Sequence, residues 1–140
     1  MKCTVLFPIY PTEDINSIWD CFETFFQLDA IVKEISGLKH LEASSHEMDA
    51  LAIIRNKVHD TRIIDTVRKR LVHNWNGSST FLRIDKQAAS VGRLRILDDA
   101  HENPPLGSIL LELSFTNASE FEKFLHWFTP PTKDGKIVTS

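Results

Sequence analysis

Residues 106–115 (LGSILLELSF) form the most apolar run of the chain and constrain its fold more than any other feature. The run is far shorter than the ~20 apolar residues that cross a bilayer. A short apolar run of this kind is typical of a strand inside a sheet. Residues 3–10 (CTVLFPIY) are β-branched and aromatic and predict another strand. Pro8 has no N–H to donate, which predicts that this strand lies at an edge or is bulged.

Further strands are predicted by weaker signals. Residues 29–35 alternate and end at a Ser-Gly pair, and residues 38–43 follow as a short strand. Residues 80–84 (TFLRI) and 93–97 (RLRIL) both alternate apolar and basic side chains. Joined by the small residues of 85–92, they predict a hairpin-like unit with one basic face.

Amphipathic segments separate these strands and predict four helices. Thr12 is the predicted N-cap of the first, which carries a wide aromatic stripe. Ser44 and Glu47 have the spacing of a capping box and predict the start of the second at about residue 45, running to 59. A third helix follows over 61–75, and Asn117 with Glu120 predicts a cap for the last.

Together these segments predict a single α+β domain over residues 1–140. We expect a mostly antiparallel sheet of five or six strands with helices packed on one side. A proline-stopped tail over 129–140 is expected to pack against the body. Two distant cysteines and the absence of a signal-peptide pattern or membrane span predict a cytoplasmic protein.

Charge is distributed very unevenly along the chain. Residues 55–95 hold ten of the 16 Lys and Arg residues and only three acidic ones, a net charge of +7. The remainder holds six basic and 16 acidic residues, a net charge of −10, which gives the overall −3. Such asymmetry within one small domain predicts a surface that faces a polyanion, although a charge run is often only a solvated face.

Motifs for other chemistry are missing from the sequence. The six His are scattered without metal-ligand spacing, and the five Gly form no phosphate-binding loop. No Ser lies in a nucleophile elbow. We therefore expect no metal and no cofactor, and no motif argues for an enzyme, although these absences do not exclude one.

Two features of the sequence bear on whether the chain binds DNA or RNA. The helices at 45–59 and 61–75 resemble a helix-turn-helix, but that motif belongs to small all-helical domains, so DNA is not expected. RNA fits better, because basic strands and a basic helix offer phosphate contacts over a broad face. Trp75 is the best candidate for stacking on a base, against the alternative that it packs onto the core.

Several motifs in order resemble one known family. They are PTED at 11–14, IDT at 64–66, the KQAA run at 86–89 that leads to Gly92, PLG at 105–107 and PT with DG at 131–135. The chain resembles an uncharacterised archaeal family grouped with predicted exosome-associated RNA-binding proteins. That family is similar in fold to the large-subunit ribosomal protein that holds five-S ribosomal RNA. The resemblance implies a ribosomal-protein-like fold and RNA binding, with no assigned catalytic residues. The acidity outside 55–95, and Asp98 with Asp99, depart from a strongly RNA-binding pattern.

Three functional hypotheses follow. The preferred one is an RNA-binding module whose contacts come from Arg68, Lys69, Arg70, Arg83, Lys86, Gln87, Arg93 and Arg95. The second is an assembly protein, such as a homodimer, in which the basic stretch of one copy meets an acidic surface of another. The third is an enzyme on a phosphorylated small molecule, with Asp65, Arg68, Lys86 and Gln87 around one pocket.

Overall fold

The main sheet has five antiparallel strands. A computed structural model describes residues 1–98, 102–134 and 136–138 of the chain. The strands of the main sheet are β1 (Lys2–Ile9), β2 (Ile31–Ile35), β3 (Leu38–Ser45), β4 (Ser79–Asp85) and β5 (Ser108–Ser114). Their spatial order across the sheet is β2-β3-β1-β5-β4. A separate two-stranded hairpin is formed by β6 (Thr132–Lys133) and β7 (Lys136–Ile137). The predicted α+β fold class and antiparallel sheet are confirmed.

The position of β1 corrects one prediction. β1 is the middle strand of the sheet and not an edge, since it pairs with both β3 and β5. Its pairing with β5 ends at Leu6, so Pro8 lies beyond that ladder while still aligned with His40 of β3. Proline is therefore tolerated in a central strand where one neighbour has already ended.

The helices are α1 (Ile15–Phe25), α2 (Ala52–Asp60), α3 (Ile64–His73), α4 (Lys86–Ser90) and α5 (Ala118–Phe128). A 3-10 turn at Met48–Leu51 precedes α2. The predicted cap of α5 is confirmed, because the Asn117 side chain accepts a hydrogen bond from the Glu120 N–H at 2.9 Å.

Two other predicted caps are wrong. The N-cap of α1 is Asp14, whose carboxylate accepts from the Asn16 N–H, and not Thr12. The predicted capping box fails because β3 continues through Ser44 to Ser45, and the Ser45 hydroxyl then accepts from the Glu47 N–H. Strand pairing with β1 extends this segment past the residue that its local sequence favours as a cap.

The core lies between one face of the sheet and the helices. Alternate residues of β1, β3, β4 and β5 are buried there against aromatic side chains of α1 and α5. Trp75 joins this core from the end of α3, stacking on Phe121 with ring centroids 4.1 Å apart. This packing favours the core role for Trp75 over base stacking.

The predicted basic hairpin forms only in part. β4 forms as expected, but residues 85–92 contain α4, which begins where the Asp85 carboxylate accepts from the Gln87 N–H at 3.0 Å. Residues 93–97 form no strand and run beside β4 with a single bridge between Ile84 and Ile96. Two backbone hydrogen bonds of 2.9 Å, Asp85 N–H to Arg95 O and Leu97 N–H to Arg83 O, fix that segment to the β4 edge.

Candidate nucleic-acid interface

Arg55 and His59 of α2 contact the C-terminal end of α5. Arg55 Nε donates to the Trp127 carbonyl at 2.7 Å, and its guanidinium lies 5.0 Å from the Trp127 ring centroid. His59 Nε2 lies 2.9 Å from the Phe128 carbonyl oxygen. Carbonyls at a helix C-terminus lack intrahelical partners and carry partial negative charge, so cationic side chains stabilise them. Arg55 and His59 therefore stabilise the packing of α2 against the end of α5.

Arg68 extends this contact to the segment after α5. Its guanidinium donates to the Thr129 carbonyl at 2.9 and 3.1 Å, to the Pro130 carbonyl, and to Asp65 at 3.0 Å. Thr132 in turn donates its hydroxyl to Asp65. This hydrogen bond, together with the nearby Arg68, lowers the pKa of the Asp65 carboxyl below its ordinary value. Arg68 thus joins α3 to residues 129–132, as expected of a tail that packs against the body.

Lys86 is buried, with only 2% of its surface exposed. Its ammonium pairs with the Glu13 carboxylate and lies 5.0 Å from the ring centroid of Tyr10. Burial lowers the pKa of Lys86, and the Glu13 carboxylate opposes that shift. A buried, paired ammonium is not available to a phosphate at the surface, so this residue does not belong to the interface we describe.

Three other arginines lie along the β4 edge, where the segment 93–98 runs. Arg95 pairs with Asp85 at 3.0 Å and with the Glu102 carboxylate, while Arg83 donates to the Glu102 backbone carbonyl at 2.9 Å. Arg70, on α3, reaches Asp98 at 3.6 Å. We call these residues, Arg70, Arg83 and Arg95, the edge arginines. They come from a helix, a strand and an irregular segment, and the fold brings them to one border of the sheet.

The structure thus divides the eight predicted RNA-binding residues. Lys69, Gln87 and Arg93 are exposed on α3, on α4 and just after α4. The edge arginines are partly exposed, Arg70 and Arg95 with carboxylate partners and Arg83 with a backbone carbonyl, whereas Arg68 and Lys86 contribute to packing. The acidic partners Glu102 and Asp98 were not singled out as site residues. No local signal marked Glu102, since it meets Arg83 and Arg95 only through the fold.

The pocket proposed for a phosphorylated substrate is not found among the described residues. Asp65 and Arg68 contact residues 129–132, whereas Lys86 contacts Glu13 at the start of α1. The part of the chain described holds no group of three or more His, Cys, Asp or Glu residues placed to bind a metal ion. In the same residues, every helix is too short or too polar to cross a bilayer.

Comparison with known proteins shows which family this chain resembles. Residues 3–115 match a family model described as RNA binding. A UPF0201 protein of Sulfurisphaera tokodaii is 31% identical over 96% of this chain and 90% of the relative. A UPF0201 protein of Sulfolobus acidocaldarius is 30% identical over 91% of this chain and 86% of the relative.

Solved structures show the same fold. The crystal structure of a UPF0201 protein from Methanococcus jannaschii has a TM-score of 0.79 at 19% identity, covering 99% of this chain and all of that one. The DUF54 protein SSO0741 from Sulfolobus solfataricus has a TM-score of 0.65 at 21% identity, covering 91% and 97% of the two chains. At these identities the likeness is one of fold. With relatives along nearly all of its length, the chain belongs to the archaeal UPF0201 family, and the family model that it matches over most of its length is described as RNA binding.

Proposed function

We propose that this protein binds RNA and that the edge arginines contact its phosphates. The observation that carries the proposal is the convergence of Arg70, Arg83 and Arg95 on the β4 edge. Family membership supports the RNA part of the proposal. Arginine suits this task because its planar guanidinium presents several donors and stays charged at all relevant pH values.

The β4 edge carries little net charge, because its arginines lie beside carboxylates. Arg70, Arg83 and Arg95 are matched there by Asp85, Asp98 and Glu102. Half of the Arg95 side chain, 51%, is exposed, and the Asp98 side chain is 65% exposed. Exposed ion pairs contribute only about 0–1 kcal/mol, so a phosphate can replace the Asp98 carboxylate at little cost. The carboxylates beside Arg95 are less exposed, at 33% for Glu102 and 12% for Asp85. We therefore expect modest affinity that depends on the RNA offering its phosphates in the geometry of the edge.

Phosphate contacts of this kind position a strand without reading its sequence. Lys69 on α3 and Arg93 in the segment beside β4 are exposed, and each lies within two residues of an edge arginine in the sequence. Each phosphate neutralised on a single strand contributes about −0.7 to the slope of log affinity against log salt concentration. Three edge arginines predict a slope of about −2.

The test uses nuclease-treated protein and a fluorescein-labelled single-stranded RNA, with anisotropy followed over a salt series. Arg83→Gln/Arg95→Gln should weaken binding at low salt by at least about tenfold and flatten the salt slope. Lys33→Gln/Lys123→Gln is the matched control, because Lys33 lies on β2 at the opposite border of the sheet and Lys123 on α5. Equal losses in the two double variants would overturn the β4 edge as the site. Absence of binding by the wild-type protein at low salt would overturn RNA binding and favour assembly with a protein partner.

A further inference from the structure

A small cavity lies on the open face of the sheet, beside the edge arginines. Its volume is about 300 Å³, and it is open to solvent on one side and lined by the ends of β1 and β3, by Arg83 of β4 and by the loop that precedes β5. Its walls combine Tyr10, Pro8 and Pro104 with the polar side chains of Arg83, His40 and Asn103. Ligand cavities begin at about this volume, so the space suits one small planar group and not an extended ligand.

The aromatic wall is held in place from two directions. The Lys86 ammonium lies 5.0 Å from the Tyr10 ring centroid, and the Tyr10 N–H donates to the Glu13 carboxylate at 2.9 Å. The buried Lys86–Glu13 pair thus holds Tyr10, the residue that follows β1, in position. A cation over an aromatic face is attracted to its negative quadrupole and limits the motion of the ring.

Gly107 allows the loop to approach that ring. A Cβ at this position would lie 2.9 Å from Tyr10 Oη, 3.3 Å from Tyr10 Cε2 and 3.4 Å from Pro8 Cγ. The residue also has a φ of +80°, a conformation that other residues rarely adopt. Glycine is therefore needed here for both space and backbone conformation, and the close approach forms one side of the cavity.

The polar wall offers hydrogen-bonding groups of several kinds. His40 Nδ1 lies 3.0 Å from the Leu38 carbonyl oxygen, an arrangement in which Nδ1 carries the hydrogen and Nε2 is left as an acceptor. Asn103 contributes an amide, which both donates and accepts. Arg83 belongs to this wall and to the β4 edge, where it donates to the Glu102 carbonyl.

We propose that this cavity binds the base of an unpaired nucleotide, with the phosphate of that nucleotide on Arg83. An aromatic ring with proline side chains supplies an apolar surface for a planar base, and an amide and imidazole supply partners for its edge. The assignment rests on the proposed RNA binding and refines it, since it places one base beside the phosphate contacts of the edge. A free nucleoside monophosphate carries the same base and phosphate, so the experiment separates the two sources.

The experiment measures the affinity of a labelled single-stranded RNA octamer, and of adenosine and uridine monophosphates, for wild-type protein and two glycine variants. Gly107→Ala pushes a methyl group against Tyr10. Gly77→Ala is the matched control, because Gly77 has a φ of +100° with no atom within 4 Å of an added Cβ, and it precedes β4 at the end remote from the cavity. Since stacking of one base typically contributes about 1–3 kcal/mol, we expect Gly107→Ala to lose at least about fivefold in affinity for the octamer and Gly77→Ala to stay near wild type.

The outcomes distinguish the two proposals. Octamer binding that Gly107→Ala and Gly77→Ala affect equally would overturn the base site and leave RNA binding in place. Monophosphate binding that Gly107→Ala weakens, without octamer binding, would support the cavity as a nucleotide site and overturn the RNA proposal. If Gly107→Ala does not fold, Tyr10→Leu removes the ring instead, and Tyr10→Phe should recover most of the affinity that Tyr10→Leu loses. No recovery by Phe would overturn the stacking role of this residue.

Discussion

The basic side chains of α2 and α3 that face α5 differ from the edge arginines in what they bind. Arg55, His59 and Arg68 contact backbone carbonyls of residues 127–130. Arg70 pairs with the exposed Asp98 carboxylate, and Arg95 pairs with the partly exposed Glu102 and the buried Asp85. A carbonyl at a helix end needs a donor to stay satisfied, whereas an exposed carboxylate is equally well solvated by water. We therefore expect the same charge in the sequence to stabilise the fold in one region and to exchange partners at Asp98 and Glu102 in the other.

Breaking the buried Lys86–Glu13 pair should have the largest effect on stability. Glu13→Gln leaves the Lys86 ammonium, 2% exposed, without its carboxylate partner. Removing one member of a buried pair typically costs about 3–5 kcal/mol, and we expect about 3 kcal/mol here because Glu13 is 15% exposed. Urea unfolding of both proteins at pH 7 measures the difference. An unchanged midpoint would show that Lys86 finds another partner.

Arg68→Ala should lower the free energy of unfolding by about 2 kcal/mol, because the Thr129 and Pro130 carbonyls lose a charged donor. The matched control is Lys69→Ala, which alters the next residue of α3, an exposed one, and should change stability by less than about 0.5 kcal/mol. Under conditions where both variants stay folded, Arg68→Ala should keep wild-type affinity for RNA. A loss of affinity in the folded variant would place Arg68 with the edge arginines and break the comparison.

Asp65 provides a smaller, pH-dependent test of the α3 contact. The pKa of this carboxyl is lowered, chiefly by the Thr132 hydroxyl and also by Arg68, so the folded state binds its proton less tightly than the unfolded state. The resulting stabilisation is complete above the ordinary value of 3.8 and is lost as the pH falls below it through the lower folded-state pKa. Asp65→Asn should therefore be less stable than wild type at pH 7 and approach it as the pH falls well below 3.8. A difference that is the same at both pH values would remove this carboxyl as the cause.

The sequence predicted those features that depend on near neighbours. The α+β class, the Asn117 cap and the apolar strand over 106–115 follow from periodicity and capping over a few residues. The predicted edge position of β1 failed because strand order depends on β3 and β5, whose pairing the local pattern does not encode. The link of the predicted hairpin is instead α4, whose first turn the Asp85 carboxylate caps, and the segment after it pairs with β4 through a single bridge.

The candidate site was harder to predict for the same reason. The basic stretch was visible as charge, but the partners of its members lie far away in the chain. Arg68 contacts Thr129, 61 residues later, and Lys86 contacts Glu13, 73 residues earlier. Only the fold reveals which basic residues those contacts remove from the surface. The Tyr10 wall likewise depends on Gly107, a contact between the end of β1 and the loop before β5.

The most direct test of the central claim is a gain of affinity. Glu102→Gln removes the carboxylate that would compete with phosphate for Arg95, while the Glu102 backbone carbonyl remains for Arg83. Glu42→Gln removes the same charge on β3, where Glu42 pairs at 3.4 Å with Lys33 of β2, the strand at the opposite border of the sheet. The two variants thus share one net charge, and anisotropy with the labelled single-stranded RNA compares them at low salt. We predict that Glu102→Gln binds at least about threefold more tightly than both wild type and Glu42→Gln, whereas equal affinity of the two variants would contradict a phosphate site at the β4 edge.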